Sequence, residues 1–89
     1  MVGYKITGTI KDVKGTCNHG HKVGDTMEID GHDTAGLCGF FYHRIFPNIM
    51  ILQFGGSYPS TWVEDPDVMS LECPDSANAV TIELRRIRE

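Results

Sequence analysis

The chain has no apolar run approaching the roughly 18 residues of a membrane-spanning helix, and its start, Met1-Val2-Gly3-Tyr4-Lys5, lacks the basic and apolar segments of a secretory signal. A bilayer partner is therefore not expected, and a cytoplasmic location is. Positive charge is also scarce: 8 Lys and Arg stand against 12 Asp and Glu, a formal charge of −4. That balance repels a phosphate backbone and argues against nucleic acid as a partner. The basic run Arg85, Arg86, Arg88 reads as a solvated strand end. No internal repeat, low-complexity tract or linker divides the chain, so residues 1–89 are expected to form one small domain. A chain of this size buries about 60 to 65% of its unfolded surface. There are only 3 cysteines, an odd number that intramolecular disulfides cannot fully consume. At least one thiol must stay free, bind something or pack in the core.

The apolar residues that are present change period along the chain. Tyr4, Ile6 and Ile10 alternate with Lys5, Thr7, Thr9 and Lys11, which predicts a strand over Tyr4 to Val13 with one dry face. Gly8 falls on that dry face and marks either a bulge or a close approach. Lys14 to Gly24 is glycine-rich and polar, hence a loop, and Thr26 to Asp30 is a second short strand ended by Asp30-Gly31. Cys38, Phe41, Tyr42, Ile45, Phe46, Ile49 and Leu52 then recur at helical spacing. Pro47 interrupts that stripe, predicting a kinked helix, or two helices with the second beginning near Pro47. Phe54-Gly55-Gly56 carries the glycines of a left-handed C-terminal cap. Ser57 to Asp67 reads as an ordered loop, with Tyr58 and Trp62 over a core edge and Glu64, Asp65 and Asp67 in a solvated acidic turn. Val68 to Cys73 and Val80 to Ile87 complete the pattern as a final strand pair joined through Pro74 to Ala79. The order ββαββ predicts an α+β fold of two layers, a four-stranded, mainly antiparallel sheet covered by one kinked helix.

Five short boxes punctuate these elements: Lys14-Gly15-Thr16-Cys17-Asn18-His19-Gly20-His21-Lys22-Val23-Gly24-Asp25, Gly36-Leu37-Cys38, Phe54-Gly55-Gly56, Asp65-Pro66-Asp67 and Cys73-Pro74-Asp75. Their order resembles a family of small prokaryotic proteins, about ninety residues long, that has no assigned activity. The family places proline after the middle cysteine, where this chain has Gly39. The resemblance implies that Cys17, His21, Cys38, His43 and Cys73 belong to one shared design, either structural or chemical.

Three readings of the cysteines follow. Cys17, Cys38, Cys73 and His21 together make a set that suits tetrahedral zinc or another transition metal such as copper(I) or iron. The spacing lacks the close C-x2-C pairs of most structural zinc sites. If the first two strands form a hairpin, the loop from Gly31 to Leu37 must climb back over the sheet to bring Cys38 near Cys17. Alternatively, Cys38 is a nucleophile or redox thiol near a helix N-terminus, where unpaired N–H groups favour negative charge, with His43 about one and a half turns on. In the third reading the cysteines only pack, and the domain serves protein–protein interaction. The leading expectation is a small domain that binds a transition metal or small ligand through its Cys/His loop region. A homo-oligomer that shares such a site between copies stays open.

Overall fold

The computed structural model describes residues 3–15, 20–75 and 78–88. Strands β1 (Lys5–Val13) and β2 (Thr26–Glu28) precede helix α1 (Gly39–Gln53), which is followed by β3 (Val68–Glu72) and β4 (Val80–Ile87). The strands form one sheet in the order β2-β1-β4-β3, antiparallel throughout, with the helix across one face. This is the two-layer α+β domain expected from the change of period.

Alternation decides which face is dry. Ile6 and Ile10 of β1 and Val80, Ile82 and Leu84 of β4 are buried, together with Phe41, Ile45, Ile49 and Leu52 from one side of α1. Gly8 is where elements approach closely, since a Cβ there would lie 2.9 Å from Ile82 Cδ1 and 3.4 Å from Met27 Cγ. The irregularity in the ladder falls further on, between Ile10 and Asp12. Strand β2 ends at Glu28, earlier than expected. The Asp30 carboxylate takes the N–H groups of His32 and Asp33 at 2.7 and 2.8 Å, turning the chain in place of a longer ladder.

Pro47 lies inside a single assigned helix, so the alternative of two helices is not adopted. Both Pro47 and His43 are exposed. The missing bond to the carbonyl of residue 43 is thus on the side where water is available. At the far end Gly55, at φ 87°, donates to the Leu52 carbonyl and Gly56 donates to the Ile51 carbonyl at 2.8 Å. These are the paired bonds of a Schellman cap, as Phe54-Gly55-Gly56 implies.

Three sequence expectations are corrected here. Arg86 is no solvated strand end; it is 3% exposed, because it shares the inward parity of Val80, Ile82 and Leu84. Its guanidinium donates to the carbonyls of Leu52 (3.1 Å), Gly56 (2.7 Å) and Pro66 (3.3 Å) and pairs with Asp67. Asp67 also receives Arg88, so it is a structural ion-pair partner and not merely part of a solvated acidic turn. Trp62 stacks on Tyr58 at 5.9 Å but is 73% exposed; only Tyr58 packs against the core, where it accepts a hydrogen bond from Asn48.

Candidate functional site

The sheet has two distinct ends. At one, the Tyr4 N–H donates to the Gln53 carbonyl and Arg86 holds the last turn of α1. At the other, β1 finishes at Val13, β4 begins at Val80 opposite it, and β3 runs out into Cys73, whose N–H donates to the Val80 carbonyl at 2.8 Å. Because the C-terminus of α1 is fixed at the first end, its N-terminus reaches the second. Arg44, in the second turn of α1, donates to the Glu72 carbonyl at 3.0 Å and ties the two together.

Cys38 is the N-cap residue of α1, with extended backbone angles (φ −58°, ψ 141°) and no side-chain capping bond. Its carbonyl accepts the Tyr42 N–H at 2.9 Å. Gly39 does not owe its identity to space, since a Cβ there would meet nothing within 4 Å. The N-cap geometry forms without the proline that would favour it. The Cys38 N–H donates to His21 Nε2 at 3.4 Å, a long contact that links the glycine-rich loop to the start of the helix.

The return path demanded of residues 31–37 is the one the chain takes. After β2, the Gly31 N–H donates to Gln53 Oε1 at 2.8 Å and the Tyr42 hydroxyl donates to the Asp30 carbonyl at 2.6 Å, fixing this part of the chain beside α1. Burial raises the titration point of Tyr42 above its ordinary value, helped by the charges of Asp30 and Asp33. From there the chain passes buried Leu37 and reaches Cys38. The chain thus brings Cys38 to His21, although topology alone does not bring sulfurs into contact.

Of the expected ligands, His21 and Cys38 meet through the backbone N–H of Cys38. Cys73 belongs to the same end of the domain. Cys38 and Cys73 are both unbridged, half-buried and packed against the core. Cys17 and His19 lie outside the described residues. Among the described residues, no group of three or more His, Cys, Asp or Glu side chains is gathered as a metal site requires. His43 is exposed on α1, whereas Cys38 is half-buried, an arrangement that gives the proposed nucleophile and its histidine different surroundings. A shallow groove of about 420 Å³ lies at the β1–β2 side, lined by Lys5, Thr7, Thr9, Thr26, Met27 and Glu28. It contains neither cysteine nor histidine. The described residues contain no helix long and apolar enough to cross a membrane.

The residue missed by sequence reasoning was Arg86, and its signal was its even position on β4, in step with three apolar residues. Comparison with protein-family models, curated proteins and solved structures finds no match to this chain.

Proposed function

We propose that the protein is a small binding domain that takes a transition metal, with zinc the leading candidate, through thiol and imidazole groups at the sheet end where α1 begins. The observation that supports this reading is the His21–Cys38 contact, which holds the loop following Cys17 in sequence against the N-terminus of α1. Cys73 enters the same end from β3. In this proposal Cys17 supplies the ligand needed beyond His21, Cys38 and Cys73, consistent with the shared boxes of the resemblance. Coordination by His21 Nε2 would replace its long contact with the Cys38 N–H, since one nitrogen lone pair cannot serve both. Thiolate and neutral imidazole are the ligating forms, so affinity should fall as pH falls.

The test is elemental analysis of anaerobically purified protein, followed by cobalt(II) titration of the metal-free form to detect thiolate-to-metal absorption. About one metal ion per chain, or one per defined oligomer, with loss in Cys38→Ser and Cys17→Ser, supports the proposal. Metal-free protein that also fails to bind cobalt would overturn it. A second reading, an interaction domain with packing cysteines, draws on Phe40, which is 80% exposed on α1, and on exposed Trp62. Under that reading, serine at both Cys38 and Cys73 leaves partner binding intact while lysine at Phe40 abolishes it.

A further inference from the structure

No further inference is drawn: the strongest candidate, the exposed apolar patch of Phe40 and Pro47 on α1 with Phe54 at its C-cap, has nothing in the structure to show what covers it.

Discussion

Arg86 and Asp67 form an ion pair at 2.7 Å, with the arginine side chain 1% exposed and the aspartate 23% exposed. The pair joins the end of β4 to the turn that begins β3. The same guanidinium also places positive charge at the helix C-terminus, because it donates to the Leu52 carbonyl in the last turn of α1 and to the Gly56 carbonyl just past the cap. The guanidinium further sits 5.4 Å from the centre of the Tyr4 ring. One planar group thus couples the sheet, the helix cap and the Asp65-Pro66-Asp67 turn.

Replacing Arg86 with leucine should therefore destabilise the protein by about 3 to 5 kcal/mol, the range for breaking a buried pair and leaving its partners unsatisfied. Lysine should recover only part of this loss, since an ammonium cannot reproduce the fork that reaches several carbonyls and a carboxylate. Urea denaturation should record a lower midpoint with an unchanged slope. A midpoint equal to the parent protein's in both variants would contradict the role assigned to Arg86.

The same contacts dictate an acid response. Hydrogen bonding from Arg86, followed by that from Arg88, holds the Asp67 carboxyl below the usual aspartate range against an opposing effect of burial. The folded protein consequently binds this proton less readily than the unfolded chain, whose aspartates titrate near about 3.9. Asp67's contribution is fully present above that unfolded value and is lost as pH falls through the lower, folded value. Urea midpoints measured from pH 7 to pH 2 should fall below about pH 4, and Asp67→Asn should flatten part of that fall while lowering the midpoint at neutral pH.

Much of this fold could be read from residue periodicity. Val80, Ile82 and Leu84 alternate with polar residues, and β4 contains them; Phe41, Ile45, Ile49 and Leu52 recur at helical spacing, and all four are buried. The glycine pair after Phe54 likewise marked a cap whose bonds are present. Chemical class misleads where position in the element decides burial. Arg86 carries a charge that suggests solvent, although its parity matches that of its buried neighbours. Trp62 is large and apolar, which suggests a place over the core, whereas stacking on Tyr58 leaves it exposed. Sequence spacing could not reveal how residues 31–37 return beside α1, because that path depends on contacts distant in sequence, including Gly31 to Gln53.

Tyr42 offers a test of that return path at the alkaline side. Its hydroxyl donates to the Asp30 carbonyl, while burial first, and then Asp30 and Asp33, raise its titration point. The neutral phenol is favoured by folding, so this contribution is complete below the unfolded value near about 10 and is lost as pH rises through the higher, folded value. Tyr42→Phe should cost about 1 kcal/mol at neutral pH, the usual net loss of one such hydrogen bond, and should reduce the stability lost between pH 9 and 11. An identical alkaline profile in the parent and the variant would show that another group governs this range.

His21 permits a distinction between anchoring and ligation. Its Nε2 accepts the Cys38 N–H at 3.4 Å, so His21→Ala removes an acceptor at the helix N-terminus even when no metal is bound. At that distance the bond is weak, and the metal-free variant should lose no more than about 1 kcal/mol in urea denaturation. Amide exchange at Cys38 in the metal-free protein should nevertheless become faster, because its N–H gains access to water when the imidazole is absent. His21→Gln supplies an oxygen acceptor and should restore some of that protection, whereas it should not restore cobalt binding if imidazole nitrogen is the required ligand. Faster exchange in His21→Ala with cobalt affinity unchanged would confine His21 to anchoring and remove it from the ligand set. Cobalt affinity lost in both variants, with exchange partly recovered only in His21→Gln, would separate its two roles.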